Sequence, residues 1–260
     1  MIDIHSHVVW GLDDGASSLE DSLDMLRIAS EDGITDIVAT PHSNAQYLFQ
    51  PGLLQQRTEE LARRSQGKPV IHAGCEVHVS SDNIGPLLDS PATYTINAGP
   101  YVLLEFPGLH VGRHTESFLR QLLDAGIVPI VAHPERNQPL LRDLARLKSW
   151  IELGCLTQVT ALSITGGFGS PPRSAALRLL DRGLVHVVAT DAHDPQYRPP
   201  TLSAAYRVVH ARFGEDAAEL LFTDNPRDII QGRPLPGGKL MLAGPPKRRW
   251  WQFGLGSTVD

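Results

Sequence analysis

The chain has 260 residues, of which 42% are hydrophobic and 20% charged, and its formal net charge is -6. This length supports one large domain with a substantial core, and the composition excludes a disordered or fibrous protein. The acidic balance argues against a general nucleic-acid binder, because such a protein needs a basic face to neutralise phosphates.

Nothing in the sequence indicates a targeting or membrane segment. The N-terminus has neither a basic region nor a long apolar run, and we find no stretch of about 20 apolar residues that could span a bilayer. The two cysteines, Cys75 and Cys155, are too few for a disulfide framework. We therefore expect a cytoplasmic protein.

Short apolar runs alternate with helical patterns along the chain. Runs rich in Val and Ile and bounded by Gly or Pro indicate seven buried parallel strands, at residues 2–4, 36–39, 69–73, 101–104, 128–131, 156–159 and 185–189. The clearest helix is predicted over residues 19–32, with Ser17 and Glu20 as a capping box and Gly33 as the stop. This order predicts a parallel α/β barrel, with an open doubly wound sheet as the alternative.

The end of the chain differs in composition from the rest. After Pro199 the pattern is helical to about Gln231, and we expect this region to pack over one end of the barrel. From Gly232 onward Pro and Gly break any regular element, and residues 247–253 read KRRWWQF. We divide the chain into a domain over residues 1–231 and a basic-aromatic tail over 232–260. The tail is either a poorly ordered terminus or a segment for peripheral contact with an acidic or lipid surface.

Candidate metal ligands follow six of the seven predicted strands. In a parallel barrel the carboxyl ends of the strands converge on one face, where active sites are built. We expect nine imidazoles and carboxylates to meet there: His5, His7, Asp14, His42, Glu76, Glu105, His133, Asp191 and His193. Each of these residues alone would be a weak signal, and the joint placement carries the prediction.

The ligand types indicate the metals and the chemistry. Since each ion takes about three or four protein donors, nine ligands suggest three divalent ions. A histidine and carboxylate set without thiolates fits manganese, iron or zinc. Arg136 and Arg198 follow two of the proposed ligands, and a guanidinium matches phosphate oxygens in bidentate fashion. Closely spaced metals beside arginines suit the hydrolysis of a phosphoester.

Five motifs resemble the PHP (polymerase and histidinol phosphatase) superfamily, and specifically the CpsB/CapC-type bacterial tyrosine-protein phosphatases. These are MIDIHSH at residues 1–7, DDG at 13–15, ATPH at 39–42, VAHPER at 131–136 and ATDAH at 189–193. The resemblance covers residues 1–231. The chain departs from it at Ser43, where family members often carry another histidine.

The resemblance implies a distorted (β/α)7 barrel with a trinuclear centre, usually assigned as manganese. It assigns one ion to His5, His7, Glu76 and Asp191, a second to Glu76, Glu105 and His133, and a third to Asp14, His42 and His193. Arg136 and Arg198 would bind the phosphate. The implied substrate is phosphotyrosine on an autophosphorylating tyrosine kinase that controls capsule or exopolysaccharide synthesis.

Other functions remain open at this stage. A phosphatase for a small metabolite such as histidinol phosphate would use the same metals and differ in its substrate loops. A non-catalytic regulator that binds the kinase is the alternative from another class. A cysteine-based phosphatase is disfavoured, because neither cysteine precedes the short loop and arginine that such enzymes need.

Overall fold

The structure is a computed structural model that describes residues 1–235. The remainder of the predicted tail, residues 236–260, lies outside the described residues. The strands are β1 (Ile2–Ser6), β2 (Asp36–Ala39), β3 (His42–Ser43), β4 (Val70–Ala73), β5 (Glu76–His78), β6 (Tyr101–Glu105), β7 (Val128–Ala132), β8 (Leu156–Thr160) and β9 (Val187–Ala189).

Helices cover the outside of these strands. They are α1 (Leu19–Glu31), α2 (Pro51–Arg64), α3 (Ser81–Asp89), α4 (Pro91–Tyr94), α5 (Thr115–Asp124), α6 (Gln138–Arg142), α7 (Leu144–Leu153), α8 (Ala161–Thr165), α9 (Ser170–Asp181), α10 (Ser203–Phe213), α11 (Glu215–Glu219) and α12 (Asn225–Ile230). Short 3-10 turns occupy Ile96–Ala98 and Pro134–Arg136, and Leu220–Asp224 is a π-helical turn.

The strands form a parallel barrel with seven strand positions, because β3 continues β2 and β5 continues β4. This barrel confirms the predicted fold class. One sheet has the order β1-β2-β4 and the other the order β3-β5-β6-β7-β8-β9. The barrel closes between its first and last strands, where the amide of Asp191 donates to the carbonyl of His5 at 2.8 Å and Ser6 bridges Ala192. The open sheet considered as an alternative is therefore wrong.

Two of the seven predicted strands are each continued, after a break, by a short strand that was not predicted. The second breaks at Thr40 and Pro41 and resumes as β3, and the third breaks at Gly74 and Cys75 and resumes as β5. Proline has no amide to donate to the ladder. A Cβ atom at Gly74 would lie 3.1 Å from the Val38 side chain, so the close approach favours glycine. Each resumed segment begins with a predicted ligand.

The barrel interior is apolar and is closed at the amino ends of the strands. Its cluster includes Ile2, Ile4, Leu103 and Ile130, together with Ile229 and Ile230 of α12. The amide nitrogen of the Asn97 side chain donates to the carbonyl of Ile230 at 2.9 Å. Of the helices after Pro199, α12 thus covers one end of the barrel, as expected, whereas α10 packs beside α8 and α11.

Two local expectations were wrong. The N-cap of α1 is Ser18, whose hydroxyl accepts from the amide of Asp21 at 3.1 Å, and not Ser17. The hydroxyl of Ser17 instead donates to the Asp21 carboxylate. The last strand starts at Val187 rather than at residue 185. Gly33 does stop α1, with a φ of +88° that favours glycine.

His186 precedes the last strand and gives the fold a pH-dependent stability. Its ring is fully buried, and Nδ1 accepts from the amide of Thr157 at 3.1 Å. Burial lowers the pKa of His186 to about 4, against about 6.5 in an unfolded chain. Because the unfolded state binds the proton more readily, stability should fall from pH 6.5 down to pH 4, by up to about 3 kcal/mol.

We expect His186→Asn to reduce this loss of stability, since the asparagine oxygen can replace the Nδ1 acceptor without titrating. Urea unfolding of the chelator-treated protein at several pH values measures the effect. The control is His210→Asn, which changes an exposed histidine on α10. Equal pH slopes for wild type, His186→Asn and His210→Asn would contradict the assignment.

Candidate metal centre

The carboxyl ends of the strands carry the residues predicted as metal ligands. His5 lies within β1, while His42 and Glu76 begin β3 and β5. Glu105 ends β6, and His133 directly follows β7. The loops after β1 and β9 supply the others, His7, Asp14, Asp191 and His193. All of them therefore belong to one face of the barrel.

The ligand atoms of these residues fall into four groups, and within each group the atoms lie within 4.8 Å of one another. The groups are His7, Asp14, His42 and His193; His5, His7 and Glu76; His5, His133 and Asp191; and His42, Glu76 and Glu105. Every one of the nine predicted residues belongs to at least one group. Because some belong to two, the groups form one continuous cluster.

Glu76 joins these groups. Its side chain is fully buried, and Oε1 lies 2.9 Å from Nε2 of His133. Oε2 lies 2.9 Å from Nδ1 of His42 and 3.4 and 3.5 Å from Nε2 of His5 and His7. A single carboxylate therefore contacts four imidazoles, two from the strands β1 and β3 and two from the segments that follow β1 and β7.

The contact between His42 and Glu76 tests whether the cluster suits a metal. Nδ1 of His42 and Oε2 of Glu76 are buried, and neither has a hydrogen-bond partner in the described part of the chain, although they lie 2.9 Å apart. Leaving buried polar atoms without a partner costs about 1–3 kcal/mol each. Divalent cations bound by these atoms would remove this cost, so the residues fit a metal centre.

The electrostatics at His5, His7 and His42 favour positive charge. Burial by itself lowers the pKa of His42, but the carboxylates of Asp14 and Glu76 raise it to about 9. Carboxylates likewise outweigh burial at His5 and His7 and raise the pKa of both imidazoles. Protons and metal ions compete for the same nitrogen atoms. The negative potential of the carboxylates, which favours protonation of these imidazoles, would also favour the binding of divalent cations.

Two residues that sequence reasoning missed orient the imidazoles. The carboxylate of Asp13 lies 2.6 Å from Nδ1 of His7 and also accepts from the amide of His42 at 2.9 Å. The side-chain oxygen of Gln158 on β8 lies 3.0 Å from Nδ1 of His5. A partner on Nδ1 fixes the ring and leaves Nε2 facing the cluster. Asp13 could have been chosen for its place beside Asp14, whereas Gln158 gave no signal.

Backbone conformation marks the same face of the barrel. His133 and Asp191 have φ values of +31° and +52°, in the left-handed region that residues other than glycine rarely adopt. Asp3 stabilises the second of these turns, because its buried carboxylate accepts from the amide of Thr190 at 3.0 Å. Burial raises the pKa of Asp3 to about 6. Strained backbone is common where a site needs particular side-chain directions.

The two predicted arginines meet at Asp191. Nη2 of Arg198 donates to Oδ2 of Asp191 at 2.7 Å and to its carbonyl at 3.0 Å. Arg136 donates to the same Oδ2 atom. Arg136 and His5 outweigh burial and hold the pKa of Asp191 well below its usual range. Both arginines thus lie at the edge of the cluster, with about a quarter of each side chain exposed.

A cavity of about 220 Å³ opens beside the cluster. Its lining contains Glu105, His133 and Arg136 of the predicted site, and also His78, Phe106, Gly108 and Asn137. A substrate phosphoryl group entering here would meet a guanidinium and two candidate ligands together. His78 was not predicted, and its Nδ1 lies 3.2 Å from the Glu105 carboxylate.

Neither cysteine is suited to act as a nucleophile. Cys75 is fully buried next to Glu76, and burial raises the pKa of its thiol well above the usual range. Burial also raises the pKa of Cys155 to about 12. The reactive species would be a thiolate. The structure therefore agrees with the expectation that the chemistry does not use cysteine.

A closed parallel barrel that collects histidines, carboxylates and two arginines at the carboxyl ends of its strands has the features of a metal-dependent phosphoester hydrolase. The comparisons with known proteins are more specific. The family model for capsular polysaccharide synthesis, CpsB/CapC, matches residues 1–231. The chain belongs to the CpsB/CapC family, which confirms the resemblance seen in its motifs.

Relatives named as tyrosine-protein phosphatases match about nine-tenths of the chain. The tyrosine-protein phosphatase YwqE of Bacillus subtilis is 32% identical over 239 residues, which are 90% of this chain and 93% of YwqE. The tyrosine-protein phosphatase CpsB of Streptococcus pneumoniae is 35% identical over 242 residues, 88% of this chain and 98% of CpsB. Crystal structures of YwqE and CpsB are described as those of unique metal-dependent tyrosine phosphatases. A chain from these crystal structures superposes on the present structure with a TM-score of 0.84 and 32% sequence identity. The match covers 90% of this chain and 96% of that chain.

Over residues 1–235, no helix has the length and apolar character needed to cross a bilayer.

Proposed function

We propose that this protein is a metal-dependent protein-tyrosine phosphatase that hydrolyses phosphotyrosine. The observation that carries the proposal is the convergence of nine potential metal ligands with two arginines on one face of the barrel. Relatives named as tyrosine phosphatases at 32–35% identity over about nine-tenths of the chain support the choice of substrate.

The nine residues would hold three divalent ions, with manganese as the favoured metal and iron or zinc as alternatives. One ion would take His5, His7, Glu76 and Asp191, a second Glu76, Glu105 and His133, and a third Asp14, His42 and His193. The central place of Glu76 among four imidazoles supports its role as a shared ligand. A set with no thiolate is typical of these metals.

The bound ions would supply Lewis acidity and lower the pKa of water at the site. The protein's own part is to position the phosphoryl group. Arg136 and Arg198 would bind its non-bridging oxygens, where charge develops during in-line displacement. The leaving phenolate has a conjugate acid with a pKa of about 10. This leaving group departs with less help from a general acid than an alkoxide would need.

We further propose that the phosphotyrosine lies on an autophosphorylating bacterial tyrosine kinase that controls capsule or exopolysaccharide synthesis. The family's description as one of capsular polysaccharide synthesis supports this partner. We propose the cytoplasm as the compartment, where the two free thiols, Cys75 and Cys155, would stay reduced. Residues 1–231 would form the catalytic domain, and residues 232–260 a tail available for peripheral contacts.

Removal of metal tests the proposal directly. We expect treatment with a chelator to lower the rate on a phosphotyrosine peptide by at least about 100-fold, because the metals carry much of the stabilisation of the transition state. Addition of manganese should restore the rate. Metal content is measured by mass spectrometry on the same samples.

Two comparisons make this test specific. Histidinol phosphate should be turned over far more slowly than the phosphotyrosine peptide, and the reverse order would favour a small-molecule phosphatase. Cys75→Ser should retain activity and Asp191→Asn should lose it. Full activity of the metal-free protein, or the opposite response of these two variants, would refute the proposed mechanism.

A further inference from the structure

Phe168 brings the two phosphate-binding candidates together on one aromatic ring. The guanidinium carbon of Arg136 lies 5.1 Å from the centre of the Phe168 ring, and that of Arg198 lies 5.5 Å from it. These arginines follow β7 and β9, while Phe168 comes from the connection after β8, the strand between them. Three neighbouring strands thus contribute to one arrangement.

The loop that carries Phe168 is built to present this side chain. Gly166 and Gly169 have φ values of +93° and +86°, and the amide of Gly169 donates to the carbonyl of Gly166 at 2.9 Å. A Cβ atom at Gly167 would lie 2.8 Å from the Leu162 side chain. The tight turn therefore depends on glycine at positions 166 and 169, while Gly167 packs closely against Leu162.

Glu135 holds this segment against the turn that contains Arg136. Its buried Oε1 accepts from the amide of Thr160 at 3.0 Å and from the hydroxyl of Ser163 at 2.8 Å. Thr160 ends β8 and Ser163 lies in α8, which leads into the Phe168 loop. Glu135, which precedes Arg136 in sequence, thus fixes the start of the loop whose Phe168 contacts Arg136.

The contacts of Phe168 are not those of an ordinary core residue. Within residues 1–235, Phe168 belongs to neither of the two apolar clusters, and its ring is only half-buried. An aromatic face attracts a guanidinium through its quadrupole and adds no charge of its own. It can therefore hold two guanidinium groups close together, against their mutual repulsion, without competing with a phosphate for their N–H donors.

We propose that Phe168 is a positioning residue that keeps Arg136 and Arg198 side by side for joint recognition of the phosphoryl oxygens. The inference rests on the proposed function, in which these arginines bind phosphate. Phe168 acts through the arginines rather than on the substrate, so its removal should weaken phosphate recognition and leave the metal ligands in place.

Substitution of Phe168 tests this role. With the manganese-loaded protein, Phe168→Leu should weaken the binding of inorganic phosphate, measured by calorimetry, by about tenfold, since both cation–π contacts are lost. The KM for a phosphotyrosine peptide should rise by a similar factor, with a smaller change in kcat. Phe168→Tyr keeps the aromatic face and should stay within about twofold of wild type. Metal content should not change in either variant.

The matched control is Phe213→Leu, which makes the same change at another arginine contact. Arg212 lies 5.6 Å from the Phe213 ring and pairs with Asp181, away from the proposed ligands. Phosphate binding should be unaffected there. If Phe168→Leu proves unstable, Phe168→Met carries the same comparison.

Unchanged phosphate affinity in Phe168→Leu, or equal losses in Phe168→Leu and Phe168→Tyr, would overturn the inference. A wild-type protein that binds phosphate but does not hydrolyse phosphotyrosine would instead refute the proposed function. In that case the phosphate affinities of the variants would still decide the role of Phe168.

Discussion

Glu76→Gln is expected to lower kcat on a phosphotyrosine peptide by on the order of 10³-fold or more. The substitution keeps the shape of the side chain but replaces a buried carboxylate that contacts four imidazoles with a neutral amide. Metal assistance is worth several kcal/mol of transition-state stabilisation, and each 1.36 kcal/mol corresponds to about a factor of ten in rate. A shared ligand should affect more than one ion.

The measurement combines single-turnover kinetics with metal analysis of the purified variant. We expect bound manganese to fall below the wild-type value as well, because the amide removes one negative charge from the centre of the cluster. Glu116→Gln is the matched control. Its carboxylate pairs with Arg146 at 2.6 Å and accepts from Trp150, outside the cluster. This variant should lose stability but keep its metal content and its rate.

Wild-type metal content and a rate within about tenfold of wild type in Glu76→Gln would contradict a shared-ligand role. Loss of activity with full metal content would instead assign Glu76 to another catalytic task. Circular dichroism of Glu76→Gln and Glu116→Gln shows whether each variant is folded like the wild-type protein.

Much of the fold could be predicted because the barrel strands are buried on both faces. Their Val- and Ile-rich runs stand out, and each is followed by a helix or a turn. The seven strand positions of the barrel can therefore be predicted from one sequence. The short strands β3 and β5, which follow the breaks after Ala39 and Ala73, were not predicted. They depend on where Pro41 interrupts a ladder and on the close packing of Gly74 against Val38, a tertiary contact that local patterns do not contain.

The cap of α1 shows a similar limit. Ser17 and Ser18 are both good N-cap residues, and each has an acidic residue three positions later, Glu20 or Asp21. Local chemistry alone therefore does not decide whether Ser17 or Ser18 is the N-cap. The observed start is the one at which Ser18 accepts from the Asp21 amide and Asp21 also pairs with Ser17.

The candidate ligands were predictable for a geometric reason. Histidines and carboxylates placed directly after buried strands must reach the same face of a parallel barrel, whatever their separation in sequence. The residues that orient them obey no such rule. Gln158 lies within β8 and points to His5, and Phe168 lies in a loop of no regular pattern. Their roles come from contacts between strands that are adjacent only in the folded chain.

The barrel also explains why the site tolerates so much buried charge. Asp13 and Gln158 hold the rings of His7 and His5, and both arginines pair with the carboxylate of Asp191. Buried charges are costly unless they are paired and hydrogen-bonded. Rigid strands fix these pairs in advance, so little reorganisation is needed when a charged substrate binds.

Arg136→Ala should lower kcat/KM for a phosphotyrosine peptide by about 10²- to 10³-fold, the usual effect of removing a donor aimed at developing charge. Arg136 lies at the cavity beside the cluster and shares Asp191 with Arg198. Arg136→Lys keeps the charge but loses the planar fork, so it should recover only part of the activity. Both variants should bind inorganic phosphate more weakly than wild type.

Loss of Arg136 also removes one partner of Asp191, and metal content must therefore be measured alongside the kinetics. We expect it to stay near wild type, since Arg198 still pairs with the same carboxylate. Arg212→Ala, which breaks an exposed ion pair with Asp181, is the control and should leave kcat/KM unchanged. If Arg136→Ala loses activity only in proportion to lost metal, the arginine supports the metal centre. If activity falls at full metal content and phosphate affinity falls with it, the arginine binds the phosphoryl group.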